Sequence, residues 1–383
     1  MLKHLLEKQP ITGLRSSRKE ELMESNSLFS KLFIGDIAVD IPIVQGGMGV
    51  DVSSCGLAAA VSNAGGLGVV AAVGASQHCE NTQLGYAERS YQGLRRILRK
   101  TRELTDRPFG VNIMYALSDY DELVRAAVDE NAAVIISGAG LPLHLPRLVG
   151  ASPVKLVPVV SSGRAASIIC RTWWKKYRRI PDAVIVEGTA AGGHLGFSYE
   201  ELGNPRSLGE IVVEVAAYTR GVELEHGCRI PVIAAGGVFT GADIAAILKL
   251  GASGVQMGTR FVCTDECDAD RRFKEMYVKS TESDIVIIKS PVGMPLRVLR
   301  NKFVEDLLRD GRKPFRCTYH CLKTCVPGKS PYCIANALNI AARGNVDDGL
   351  VTCGANAYRV KEIVPVRRLL SELVEECRNG LAD

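Results

Sequence analysis

Eight short apolar runs recur along the chain from residue 41 onward, each closing in small residues and each followed by a stretch with helical character. They are IPIVQGG from Ile41, GLGVVAA from Gly66, PFGVNIM from Pro108, AAVIISGAG from Ala132, PVKLVPVV from Pro153, DAVIVEG from Asp182, IPVIAAGG from Ile230 and GVQMG from Gly254. Runs this short, rich in Val and Ile and without polar alternation, read as strands buried on both faces. Between them lie helical patterns such as SSCGLAAAVSNA (53–64), DYDELVRAAVDEN (119–131), SLGEIVVEVAAYTR (207–220) and TGADIAAILKL (240–250). Eight alternations at an average spacing of about thirty residues predict an α/β fold, a (β/α)8 TIM barrel. An open doubly wound sheet is the competitor, but GGMGVDVSSCG gives no clean G-x-G-x-x-G turn for it.

A chain of 383 residues is long enough for one such barrel with appendages. The expected division is an N-terminal extension (1–35), the barrel (36–305) and a cysteine-rich C-terminal extension (306–383) packing on it. Net charge is only +5, with basic and acidic residues interleaved, so no nucleic-acid partner is expected. The locally basic RRILRK (95–100) and WWKKYRR (173–179) read as solvated helix faces. No apolar run approaches the roughly eighteen residues that span a bilayer, and residues 1–27 lack the apolar core of a signal peptide. A cytoplasmic location without membrane association is therefore expected. In that setting twelve cysteines point to reduced thiols, metal ligands or redox chemistry rather than a disulfide framework.

A barrel carries its chemistry where its strands end. The residues there are small: Gly46, Gly47, Gly138, Gly188, Gly236, Gly237 and Gly258. Each could serve a tight turn, or let a planar ligand or a phosphate approach the backbone. The last two loops are more specific, because Gly236-Gly237 precede a helix opening near Thr240 and Gly258-Thr259 end the eighth strand. Loops at these positions commonly bind phosphate through backbone N–H groups, which implies a phosphorylated cofactor.

The ordered set IPIVQGGMGV, VSNAGGLGVV, GVNIM, VIVEGTAAGGHLG, IPVIAAGGVFTGADIAAILKLGASGVQMGTRF and SPVGMPLRVLRN resembles the nitronate monooxygenase (2-nitropropane dioxygenase) family, which includes flavin-dependent enoyl-ACP reductases. The resemblance covers about residues 31–305 and implies an FMN-dependent barrel enzyme. It places Gly46, Gly47 and Met48 along the flavin ring, Asn112 in hydrogen-bonding reach of it, and Gly236, Gly237, Gly258 and Thr259 at the phosphate. Glu187, Gly188 and Gly192 join the cofactor set through the same resemblance, Glu187 either touching the ribityl chain or ordering the loop after it. Gln256 is equally readable as a flavin contact or a core amide. His194, in GTAAGGHLG, matches the family's active-site histidine, and an imidazole is suited to proton transfer near neutral pH.

The family implies oxidation of an alkyl nitronate with oxygen. The alternative is reduction of an activated C=C bond, an enoyl substrate, with NAD(P)H as co-substrate. A non-catalytic flavin-binding module is the third reading, and a homo-oligomer remains open.

Beyond residue 305 the resemblance lapses, and FRCTYHCLKTCVPGKSPYC brings Cys317, Cys321, Cys325 and Cys333 into nineteen residues. The first three, at i, i+4 and i+8, would line one face of a helix. The four resemble cysteine segments that hold a [4Fe–4S] cluster in other flavin-containing barrel reductases, with a possible relay of single electrons to FMN. Zinc and unligated thiols are the other readings. The tail IVPVRRLLSELVEEC predicts a docking helix starting near Pro365.

Overall fold

The computed structural model describes residues 30–382, so most of the expected N-terminal extension lies outside the described residues. The described chain opens with a hairpin, β1 (Leu32–Ile34) antiparallel to β2 (Ile37–Val39). All eight apolar runs then form strands: β3 (Ile43–Gln45), β4 (Gly68–Ala71), β5 (Phe109–Met114), β6 (Val134–Gly138), β7 (Lys155–Val160) and β8 (Val184–Glu187), followed, after the two-residue β9 (Gly193–His194), by β10 (Val232–Ala235) and β11 (Gly254–Met257). The parallel sheet runs β3-β11-β10-β8-β7-β6-β5-β4. Its two ends meet where Val44 bridges Leu67, and Leu67 N–H donates to the Ile43 carbonyl at 3.0 Å. The (β/α)8 barrel is therefore closed, without an edge to protect.

Burial follows from the sequence pattern. Every residue of β3, β4, β6 and β10 is buried, as expected for strands sandwiched between a barrel interior and a ring of helices. The interior core joins Val44, Val69, Ile136 and Ile233 to Leu32, Ile34 and Val39 of the hairpin. Because Asp36 pairs with Lys155 Nζ at 2.8 Å, at the start of β7, the hairpin plugs the end of the barrel where the strands begin. The opposite end is left for chemistry.

Helix starts are fixed locally. Thr240 Oγ1 accepts from the Asp243 N–H at 3.2 Å, and Asp243 Oδ2 accepts from the Thr240 N–H at 2.9 Å, a reciprocal cap that begins helix Gly241–Lys249 just past Gly236-Gly237. Helix Cys55–Asn63 lies so close on β4 that a Cβ at Gly68 would fall 1.8 Å from the Ala58 carbonyl oxygen. Gly68→Ala is accordingly expected to destabilise the protein by roughly 3 kcal/mol, since backbone rather than a flexible side chain would have to move. A urea midpoint unchanged from the parent protein would contradict this contact.

The remaining chain builds over the open end. β12 (Ile285–Lys289) and β13 (Pro295–Leu299) form a hairpin that takes up β9 as a third strand. Helix Val366–Ala382 docks on helix Gly241–Lys249, where the Gly241 N–H donates to Glu376 Oε2 at 2.7 Å. Between residues 311 and 333 there is neither helix nor named strand. The helical alignment of Cys317, Cys321 and Cys325 is therefore corrected: His320, between the first two, adopts φ of 48°, a left-handed conformation that interrupts any right-handed helix there. Among the described residues no helix is long and apolar enough to cross a membrane.

Candidate active site

A cavity of about 690 Å³ opens at the C-terminal end of the strands. Gly46, Gly47 and Met48, after β3, form one wall together with Asn112 of β5 and Gln256 of β11. Gly47 is required there by contact, since a Cβ would sit 2.2 Å from the Asn112 Cβ. Gly236, Gly237, Gly258 and Thr259 line the cavity as well. Gly236 and Gly237 adopt φ of 93° and 95°, a left-handed conformation natural to glycine. Asn356 Nδ2 braces this turn by donating to the Gly237 carbonyl at 2.7 Å, and Gly354 packs against Thr259. The 351–360 segment thus returns to the glycine turns after β10 and β11.

His194 is held from behind. It is one of the two residues of β9 and pairs with Leu296 of β13, while the Leu195 N–H donates to the Pro295 carbonyl at 3.0 Å. Arg297, the next residue of β13, is buried and donates to the Ala191 carbonyl, tying down the loop that carries the histidine. His194 and Gln256 line the cavity, and His194 Nε2 and Gln256 Oε1 are buried without a hydrogen-bond partner. Buried polar atoms are normally satisfied, so both keep bonding capacity to spare. Desolvation pulls the His194 pKa down to about 4, which leaves the imidazole neutral near pH 7.

Glu187, at the end of β8, also lines the cavity, and burial pushes its carboxyl up to about 7. Gly192 is on the wall, whereas Gly188 lies beneath it, its N–H donating to the Ala235 carbonyl at 2.8 Å. The raised Glu187 pKa has a consequence for stability. The native carboxyl stays protonated up to about pH 7, whereas an unfolded one ionises near 4.5, so its contribution is complete below 4.5 and is lost as pH rises toward 7. In cofactor-free protein, Glu187→Gln should flatten the stability profile across that window. Parallel profiles of parent and variant in urea titrations at pH 4.5 and 7 would refute the assignment.

The far wall was not legible as part of a site. Cys321, Leu322, Ile334 and Leu338 come from the C-terminal extension, facing Leu117 and Leu141 of the barrel loops. Cys321 and its neighbours are fastened there by main-chain bonds: Ser118 N–H to the Cys321 carbonyl at 3.1 Å and Lys323 N–H to the Ala116 carbonyl at 3.0 Å. Of the four clustered cysteines only Cys321 touches the cavity. Its thiol is pushed up to about 12, first by burial and then by the nearby thiols of Cys333, Cys325 and Cys317. The four are therefore within electrostatic reach of one another.

Among the described residues, no three His, Cys, Asp or Glu side chains are arranged to hold a metal ion. Four thiols are a donor set that serves either a [4Fe–4S] cluster or a zinc ion.

A family model for nitronate monooxygenase matches residues 31–376. A nitronate monooxygenase of Pseudomonas aeruginosa is 30% identical, the match covering 89% of this chain and 97% of that protein. A (3aS,4S,5R,7aS)-5-hydroxy-7a-methyl-1-oxo-octahydro-1H-indene-4-carboxyl-CoA dehydrogenase of Rhodococcus jostii is 32% identical over 72% of this chain and 67% of its own length. Among solved structures, FabK from Thermotoga maritima superposes with a TM-score of 0.69 at 30% identity, covering 89% of this chain and 94% of that one. The family match spans the closed barrel and most of the chain that builds over it, and the chain belongs to the nitronate monooxygenase family of oxidoreductases.

Proposed function

We propose that the chain is an FMN-dependent oxidoreductase acting at the carbon–carbon bond beside an acyl carbonyl, with an enoyl thioester as the oxidised partner and NAD(P)H as the source of reducing equivalents. The observation that carries this reading is the apolar far wall of Leu322, Ile334 and Leu338, which offers a carbon chain a surface that a small nitronate does not use. The likeness to FabK and to a dehydrogenase of a carboxyl-CoA compound supports it.

The residues present fit FMN. Gly46, Gly47, Met48, Asn112 and Gln256 would lie along the ring, while Gly236, Gly237, Gly258 and Thr259 would hold the phosphate. Glycine turns at positive φ beside the cavity and an unpartnered amide oxygen suit such a group. When bound, FMN supplies the exchange of a hydride with the substrate's β-carbon. The protein positions the acyl chain against the apolar wall and presents the neutral His194 Nε2 to the α-carbon or the carbonyl. There it passes one proton for each hydride exchanged, its neutral ring giving up its N–H proton to the reduced substrate and regaining one from solvent, so that charge balances. Cys317, Cys321, Cys325 and Cys333 are proposed to hold a [4Fe–4S] cluster, a source of single electrons, and no step above depends on it.

Oxidation of an alkyl nitronate is the second reading, favoured by the likeness to the Pseudomonas protein over nearly its whole length. Anaerobic reduction separates the two. NAD(P)H should bleach the bound flavin, and a 2-enoyl thioester should restore its colour. Bleaching by nitronate alone, with no response to enoyl thioester, would overturn the first reading in favour of the second.

A further inference from the structure

We propose that the cavity selects its substrate by charge, admitting a C=C bond conjugated to a neutral group such as a thioester or an amide and refusing the corresponding carboxylate. The inference deepens the acyl reading above and rests on it for the reaction. Among the described residues no Asp, Lys or Arg lines the cavity, and its titratable side chains are Glu187, His194, Tyr277, Cys321 and Cys353. Just below neutral pH none of the five is charged. His194 has lost its proton above about 4 and Glu187 keeps its own up to about 7, burial being the cause in both. Burial also raises Tyr277 well above its usual range and pushes Cys321 and Cys353 up to about 12.

The cations that adjoin wall residues in the chain turn elsewhere. Arg260, after Thr259, donates to the Phe239 carbonyl at 3.0 Å, and Lys274, after Phe273, donates to the Thr264 and Asp265 carbonyls at 2.8 and 3.1 Å. Arg297, after Leu296, donates to the Ala191 carbonyl, and Lys323, after Leu322, donates to the Tyr115 carbonyl at 2.8 Å. Negative charge is provided for at one end only, where helix Gly241–Lys249 begins just past Gly236-Gly237. His194 lies instead on the two-residue β9, beside Leu296 of β13.

A carboxylate brought to His194 would leave water for a wall that holds no opposite charge, and nothing would offset its desolvation. A thioester carbonyl is polar but uncharged, and needs only the hydrogen bonding that His194 Nε2 has to spare. Thiolate ligation at Cys321 would add negative charge to the wall and strengthen the same exclusion.

The test uses the flavin-loaded full chain under anaerobic conditions and two probes of one shape, trans-2-octenamide and trans-2-octenoate, titrated against the absorption of the bound flavin. At neutral pH the amide is expected to bind about tenfold or more tightly than the carboxylate, because only the anion lacks a counter-charge. Between about pH 5 and about pH 6, above a carboxyl pKa of about 4.5, affinity for the acid should fall by about tenfold while that for the amide stays level, since only the protonated fraction enters. Across that window His194 is neutral and Glu187 protonated, so the slope reports the ligand.

Octenoate bound as tightly as octenamide at neutral pH overturns the proposal. So does an octenoate affinity that holds level across the window, or a cavity that takes neither probe. The reaction is tested apart, with the N-acetylcysteamine thioester of the same acid and reduced flavin. Should that thioester fail to reoxidise the flavin while the two probes still differ, the acyl thioester reading falls and the selection by charge stands.

Discussion

His194→Ala is expected to lower the rate of electron exchange between substrate and flavin by about 10²–10⁴-fold, the usual loss on removing a positioned proton-transfer group, while flavin content stays at the parent level. The separation of the two effects follows from the fold. His194 sits on β9, held by β13, whereas the turns assigned to the phosphate follow β10 and β11. Cutting the imidazole back removes an atom that faces the cavity without a partner and disturbs no hydrogen bond that supports the barrel.

The direction of the pH dependence also follows. With a pKa pulled down to about 4, the imidazole is already neutral across the neutral range, so the parent's rate in the proton-accepting direction should fall only as pH drops toward 4. That limb should vanish in the variant. Stopped-flow reoxidation of the reduced flavin by an enoyl thioester at equal rates in parent and variant would demote His194 to a packing residue.

The barrel and one half of the cavity were legible in the sequence for a common reason. Strands buried on both faces admit little but Val, Ile, Ala and Gly, so β4, β6 and β8 announce themselves as unbroken apolar runs. The turns after β10 and β11 need glycine at positive φ or in close approach, and that need is written into the chain at Gly236 and Gly237. The far wall obeys no such local rule. Leu322 and Ile334 become cavity residues because an irregular segment crosses the barrel mouth and bonds to residues 116 and 118, some two hundred positions earlier.

Nothing in the periodicity of residues 311–333 encodes that crossing. The regular i, i+4, i+8 spacing of three cysteines suggested a helix that the left-handed turn at His320 interrupts. Asn356 obeys no local rule either: its amide braces Gly237, 119 positions earlier in the chain.

Changing any one of Cys317, Cys321, Cys325 or Cys333 to serine is expected to strip iron from anaerobically purified protein, from about four irons and four sulfides per chain to near none, with most FMN retained. Three thiols leave one iron of a cube without its protein ligand, so the loss should be nearly all-or-none at each position rather than graded. Cys55, Cys79 and Cys170, which stand on the helix beside β4, in a loop and in a buried helix face, should tolerate the same change with iron intact.

A second readout comes from Cys321 alone among the four, because only its residue walls the cavity. Serine at Cys321 should therefore perturb the flavin spectrum or substrate affinity even where its iron loss merely equals that of Cys317→Ser. One zinc per chain would instead transfer the four thiols to a structural zinc site. Iron-free anaerobic protein with full activity would end the cluster assignment and leave the segment with a duty that needs no metal, walling the cavity.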